Sequence, residues 1–190
     1  MSGRLDRRVV AAAAIVGADD EGLLVVSGLG APTWDVAAAG DRDLTFPLWG
    51  AMGGAVMIGL GLAVARPDHR VLVVTGDGEL LMGLGSLSTV GSVAPINLGV
   101  LVLDNERYGE TGMQATHTSG STDLAGVATA CGFRATQTTD ESELEAAIDL
   151  VRAGPGPALV VVKVSTDIPT QVVPPRDGTH LVERFRAALA

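Results

Sequence analysis

Residues 71 to 105 read VLVVTGDGELLMGLGSLSTVGSVAPINLGVLVLDN, and the order of apolar and polar groups within them decides the fold. Two apolar runs, VLVVT at 71–75 and LGVLVL at 98–103, flank a segment that suits a helix. Such runs, continuous and not alternating, are how strands buried on both faces read. Each run ends in its own polar group, Gly76-Asp77-Gly78 after the first and Asp104-Asn105 after the second. At the edge of an α/β sheet an acidic and an amide side chain would then stand beside one crevice, where a hard metal ion can hold a diphosphate.

Strands and helices alternate outward from this stretch. Upstream lie a helix near Leu5 to Val16, a strand at 23–27, a short helix around Asp35 to Ala39 and an apolar helix from about Met52 to Ala65. Between the two quoted strands a helix is expected from Leu80 to about Ser92, with Leu80, Leu84, Leu87 and Gly91 on its packed face and Ser86 and Ser88 turned elsewhere. Downstream come a long loop from 105 to about 121, a helix from Leu124 to Cys131, and a short strand FRAT at 133–136. A helix from Ser142 to Arg152, a strand at 158–164 and a last helix near Leu181 to Ala188 complete the order. Gly154-Pro155-Gly156-Pro157 stops one helix and feeds a strand. The alternation implies an α/β fold: a three-layer αβα, doubly wound, mainly parallel sheet, with residues 1–190 forming one domain.

Composition narrows the function. With 190 residues and 47% hydrophobic content the chain can bury a full core. A formal charge of −9 and 3% aromatic residues leave neither a basic face nor a stacking platform, so nucleic acid is not an expected partner. One cysteine, Cys131, allows no internal disulfide and no four-cysteine cluster, which fits a reduced, cytoplasmic protein. RRVVAAAAIVGA at 7–18 reads as an amphipathic helix and not a secretory leader, because acidic residues bracket it and no small-residue cleavage site follows. The uncharged segment Ala51 to Ala65 is 15 residues long, short of the roughly 20 that span a bilayer, so no membrane partner is expected.

In Thr75-Gly76-Asp77-Gly78 the glycines let the chain turn sharply and approach a ligand. The helix that follows offers free N–H groups to an anion. Asp77 supplies the carboxylate that Mg²⁺ takes alongside phosphate oxygens and water. Either motif alone is an ordinary strand exit. The polar loop ERYGETGMQATHTSG after Asn105, too long for a simple connector, adds weight to the pair.

GDGELLMGLGSLSTVGSVAPINLGVLVLDN resembles the signature of the thiamine-diphosphate enzymes, a Gly-Asp-Gly followed some two dozen residues later by Asn-Asn after a strand; here 25 residues separate Gly78 from Asp104. The resemblance implies that Asp77, the Asn105 side chain and the Arg107 carbonyl hold Mg²⁺. It places the diphosphate on the turn Gly76-Asp77-Gly78, beside the amides of Gly78 and Glu79. Asp104 departs from the first asparagine, and Glu79 stands where a serine is frequent, a carboxylate that would repel a diphosphate unless it turns away. Upstream, FPLWGAMGGAVMIGLGLAVARPDHR resembles the segment that bends the cofactor. Met52 would be the wedge between its rings, and the Gly50 carbonyl would accept from its exocyclic amine. Tyr108, Gly109, Glu110, Thr111 and Gln114 are candidates to line the pocket, and His117 is a candidate proton donor. His69 and His180 read as surface residues.

In these enzymes the cofactor adds to a 2-oxo acid and accepts the electrons left as carbon dioxide departs, and a glutamate from a pyrimidine-binding domain activates it. One sheet accounts for this sequence, so half an active site is expected, completed by a separate pyrimidine-binding subunit in a heterotetramer or larger assembly. Across nearly its whole length the chain is similar to the pyrophosphate-binding β subunits of sulfopyruvate and phosphonopyruvate decarboxylases, which implies a small 2-oxo acid as substrate. The β subunit of a 2-oxo acid oxidoreductase would use the same motifs, though such subunits often carry several cysteines. A non-catalytic phosphate or nucleotide module is a third reading, although Ser27-Gly28-Leu29-Gly30-Ala31-Pro32 breaks the Gly-x-Gly-x-x-Gly pattern of dinucleotide sites.

Overall fold

The computed structural model describes residues 3–189. In chain order the elements are α1 (Arg7–Ile15), β1 (Leu24–Ser27), α2 (Ala31–Ala39), β2 (Thr45–Pro47), α3 (Ala55–Ala65), β3 (Val71–Gly76), α4 (Asp77–Met82), α5 (Ser86–Val93) and β4 (Leu98–Asp104). A small hairpin follows, β5 (Arg107–Tyr108) with β6 (Gln114–Ala115), and then α6 (Leu124–Ala130), β7 (Arg134–Thr138), α7 (Leu144–Arg152), β8 (Ala158–Lys163) and α8 (Gly178–Ala188). The six longer strands pair in parallel in the order β2-β1-β3-β4-β8-β7.

The apolar runs are continuous because each strand feeds two cores. Val71, Val73, Val100 and Val102 pack under α3, α5 and α6, whereas Leu72, Val74, Leu101 and Leu103 pack under α1 and α7. This is the doubly wound α/β architecture, with helices on both faces of a parallel sheet. After β1 the chain moves out to the edge strand β2, then returns to β3 on the other side of β1. The loops at the C-terminal ends of β1 and β3 therefore diverge, and a crevice opens where the strand order reverses. From Val71 opposite Leu98 to Gly76 opposite Leu103, β3 and β4 stay in register, so Asp77 emerges beside Asp104-Asn105.

Several elements differ from the sequence expectation. The helix expected over 80–92 is two helices, already under way at Asp77 and broken between Met82 and Ser86. The break has a packing cause: a Cβ on Gly83 would lie 2.1 Å from the Gly53 carbonyl oxygen, so two glycine backbones touch there. Gly91 is likewise packed against the Cys131 carbonyl, but Ser86, expected off the packed face, is buried at the start of α5. The apolar helix begins at Ala55, leaving Met52 in a turn ahead of it. The three-residue β2 is too short to carry a periodic signal, and its Pro47 is tolerated because the strand is an edge. α2 starts at Ala31, four residues earlier than expected, with Pro32 in its first turn, where a missing N–H costs nothing. His180 lies within the first turn of α8 and is exposed, while His69 is half-buried against Asp68 and Arg66. Among the described residues, no helix is long and apolar enough to cross a membrane.

Gly99 and Gly61 test the packing in opposite directions. A Cβ on Gly99 would lie 2.0 Å from the Val151 carbonyl oxygen of α7, whereas one on Gly61, in the exposed face of α3, meets nothing within 4 Å. Gly99→Ala is expected to lower the unfolding free energy by about 3 kcal/mol. Gly61→Ala is expected to raise it by roughly 0.5–1 kcal/mol, since alanine is the better helix former. Urea denaturation of the two variants beside the parent chain measures both.

Candidate cofactor site

A cavity of about 280 Å³ opens at the crevice. The motif turn Gly76 to Glu79 forms its floor, and Asn105, Arg107, Tyr108, Gly109, Glu110, Thr111 and Gln114 supply one wall. Met52 and Met82 stand at one side of it, and Leu29, Ala31 and Pro32 at another. Two residues that the resemblance implicates lie elsewhere. Gly50 is exposed in the turn before Met52 and does not line the cavity, and His117 is exposed in a single 3-10 turn outside it. The positioning of His117 follows from its neighbours: Thr116 and Thr118 point inward, so the residue between them points out.

Those two threonines tie the motifs together. Thr116 Oγ1 donates to Asp77 Oδ2 at 2.5 Å, and Thr118 Oγ1 lies 3.2 Å from that oxygen and 2.8 Å from Asp104 Oδ1. Lys163, at the end of β8, donates to Asp104 Oδ2 at 2.7 Å and to Glu106 at 3.1 Å. Asp104 is thus neutralised. Asp77, only 2% exposed, has no basic partner in salt-bridge range among the described residues. Burial, with the nearby Asp104 charge adding to it, pushes the Asp77 carboxyl up to about 6 against the pull of its two hydroxyl donors.

Asn105 is 8% exposed and its Oδ1 accepts the Arg107 N–H at 3.0 Å, a turn that brings the Arg107 backbone round beside it. Glu106 between them holds φ +60°, a left-handed conformation that few non-glycine residues adopt. The donors so assembled are one carboxylate and neutral oxygens, and among the described residues no group of three or more His, Cys, Asp or Glu side chains forms a metal cluster. One carboxylate with open positions suits Mg²⁺, which keeps waters and phosphate oxygens in its shell. The buried, uncompensated charge of Asp77 is the observation that a divalent cation fits.

The doubt over Glu79 is resolved by where its side chain goes. Its carboxylate accepts from the Ala55 N–H at the start of α3, at 3.1 Å, and from the Thr75 hydroxyl. Burial raises its pKa against those hydrogen bonds. Glu79 therefore serves as a cap that joins the motif turn to α3, and it pulls the Met52 turn into place. That turn carries its own backbone constraint, Ala51 at φ +58° and Gly53 at φ +88°. Across the cavity the Tyr108 ring lies over Gly78, where a Cβ would come within 2.6 Å of it. Glu110 accepts from the Trp34 indole at 3.1 Å, which ties the hairpin to α2.

Sequence reasoning did not find Thr116, Thr118, Lys163 or the pair Arg7 and Asp35, which also line or brace the cavity. Lys163 carries a legible signal, a lone charge inside the apolar run ALVVVKV. The threonines were overlooked beside the more reactive His117. Arg7 had no local signal, because only tertiary packing brings α1 beside α2.

The Asp77 shift has a measurable sign. A carboxyl whose folded pKa is raised from 3.8 to about 6 opposes folding increasingly as pH climbs through that interval. Asp77→Asn should therefore stabilise the metal-free chain more at pH 7.5 than at pH 5, read as the difference in Tm between variant and parent at each pH.

Comparison with known proteins identifies the family. The family described as "Thiamine pyrophosphate enzyme, C-terminal TPP binding domain" matches residues 33–162. Sulfopyruvate decarboxylase subunit beta of Methanocaldococcus jannaschii is 43% identical over 122 residues, 64% of this chain and 64% of that protein. Phosphonopyruvate decarboxylase of Streptomyces viridochromogenes is 47% identical over 137 residues, 72% of this chain but 34% of that protein. Sulfopyruvate decarboxylase subunit beta of Methanococcus maripaludis is 34% identical over 169 residues, 87% of this chain and 89% of that protein. The chain thus spans about a third of one of these relatives and most of another. With Asp77, Asn105 and the glycine turn inside the matched region, the chain belongs to the thiamine pyrophosphate enzymes and carries their C-terminal TPP-binding domain.

Proposed function

We propose that this chain is the diphosphate- and magnesium-holding component of a thiamine-diphosphate-dependent 2-oxo acid decarboxylase, completed by a separate pyrimidine-binding subunit. The observation that carries this reading is the Asp77 carboxylate, buried at the floor of a cavity that Asn105 shares and, among the described residues, with no basic side chain in salt-bridge range. Asp77, the Asn105 side chain and the Arg107 carbonyl would hold Mg²⁺. The turn Gly76-Asp77-Gly78 and the Glu79 amide would receive the diphosphate, with the Glu79 carboxylate kept off it by Thr75 and Ala55. Bound there, the cofactor supplies the electron sink for carbon dioxide loss.

The chain's own residues would bind, bend and shield. Met52 stands 39% exposed on the cavity rim, held by the constrained Ala51–Gly53 turn, which supports a role as the wedge between the cofactor's two rings. Tyr108 closes the floor over Gly78, and the hairpin from Arg107 to Ala115 walls off solvent. Exposed Met52 and Met82 border the same side, an apolar edge that suits a covering protein. Two of the relatives are named as β subunits, which supports a partner that brings the activating acid. The relatives' names also favour a 2-oxo acid with a second acidic group. Cys131 packs in the α5–α6 contact and does not line the cavity, so nothing at the site favours the oxidoreductase alternative.

Calorimetric titration of the full chain with thiamine diphosphate tests this directly. Binding should require Mg²⁺, and NAD and ATP should not replace the cofactor. Asp77→Ala should weaken binding by more than the roughly 10- to 100-fold that a change outside the metal's own ligands costs; undiminished affinity would remove Asp77 from the metal. Gly78→Ala, which forces Tyr108 from its place, should lose at least about tenfold in affinity while the far-ultraviolet circular dichroism stays that of the parent.

A further inference from the structure

The cavity lining includes one buried cation that the metal ligands and the glycine turn leave unexplained, in a lining that also carries Asp35, Asp77, Glu79 and Glu110. Arg7, the first residue of α1, lines it although only 7% of the residue is exposed. Arginine is seldom buried so fully without an ionic role. Its Nε donates to Asp35 Oδ2 at 2.7 Å, and its Nη2 reaches the Ala31 carbonyl only at 3.5 Å. Among the described residues its Nη1 has no hydrogen-bond partner. Asp35 also receives Arg8 at 3.4 Å, so two guanidinium groups share one carboxylate and a positive charge is left over.

That surplus lies where backbone donors are also free. α2, nine residues long, begins at Ala31 with Gly30 as its N-cap, and no side chain caps it. Ala31 and Pro32 line the same cavity as Arg7. A guanidinium held by one nitrogen and open at another, beside the uncapped Ala31 N–H of a helix start, is built to take a tetrahedral oxyanion.

We propose that Arg7, oriented by Asp35 and backed by the start of α2, is an oxyanion-binding residue of this cavity. Its ligand is a phosphate, phosphonate or sulfonate group. Two molecules can bring such a group: the cofactor, through its diphosphate, or a 2-oxo acid with an acidic tail. The assignment rests on the thiamine reading only for which of these the cavity receives.

The test compares the full parent chain with Arg7→Met and Arg7→Lys by calorimetry in the presence of Mg²⁺. Inorganic pyrophosphate is one probe; sulfoacetate added to chain already loaded with thiamine diphosphate is the other. Arg8 remains to pair with Asp35 in both variants, and Arg7→Met combined with Asp35→Asn gives a second form free of the unpaired acid. If the cofactor is the ligand, Arg7→Met weakens pyrophosphate roughly 10- to 100-fold, and Arg7→Lys recovers part of the loss. Should the substrate tail be the ligand, pyrophosphate binding holds and sulfoacetate binding falls by a similar factor. Unchanged titrations with both probes, whatever happens to Tm, would reduce Arg7 to a structural ion pair and overturn the inference, leaving the thiamine reading intact if Asp77→Ala still abolishes pyrophosphate binding. A parent chain that binds neither pyrophosphate nor thiamine diphosphate overturns both.

Discussion

The parallel register of β3 with β4 is the constraint on which the rest of the site depends. Both strands are held over six paired positions by hydrogen bonds and by valines and leucines sunk into two cores. Because they end level, Asp77 and Asp104-Asn105 leave the sheet side by side. A shift of one residue in that register would turn every side chain to the opposite layer and separate the motifs. The large investment in apolar burial therefore has a local result: two acidic groups are forced close together in a place shielded from water.

Two carboxylates so placed need compensation, and the protein treats them differently. Lys163, brought alongside by the pairing of β8 with β4, neutralises Asp104 and braces Glu106. Among the described residues, Asp77 receives side-chain hydrogen bonds only from the hydroxyls of Thr116 and Thr118. An uncompensated buried carboxylate costs stability in the metal-free chain, and evolution rarely leaves such a group without use. On the proposed reading a divalent ion would relieve that cost, so the same side chain would oppose the metal-free fold and favour cation binding.

Glycine contacts do comparable work on the other side of the cavity. The approach of Gly53 to Gly83 breaks what the apolar spacing implied would be one helix, and it seats the Met52 turn against α4. Glu79 adds a hydrogen-bonded link from α4 to the first turn of α3. The Met52 turn and the Gly76-Asp77-Gly78 turn are thereby joined by a backbone contact and a hydrogen bond. The hairpin wall is attached more lightly, through the Tyr108 ring over Gly78 and the Glu110 to Trp34 hydrogen bond.

Much of this was legible in the residues themselves. Continuous apolar runs separated by helical spacing are sufficient for a doubly wound parallel sheet, because burial on both faces is written locally in each strand. The Gly-Asp-Gly turn and the asparagine after the next strand are also local patterns, and both line the cavity where expected. What escaped were the contacts made between distant segments. The split between α4 and α5 follows from a backbone some thirty residues upstream, and nothing in 80–92 announces it. His117 has the chemistry to attract notice, yet the turn of the loop directs Thr116 and Thr118 inward instead. Arg7, Asp35 and Lys163 reach the cavity region only because α1, α2 and β8 pack there, from opposite ends of the chain. The sequence by itself determined the sheet and the Gly-Asp-Gly turn, since both rest on spacing within short segments. Tertiary structure alone decided which charges are cancelled and which are left open, because that depends on neighbours that chain folding, and not chain order, supplies.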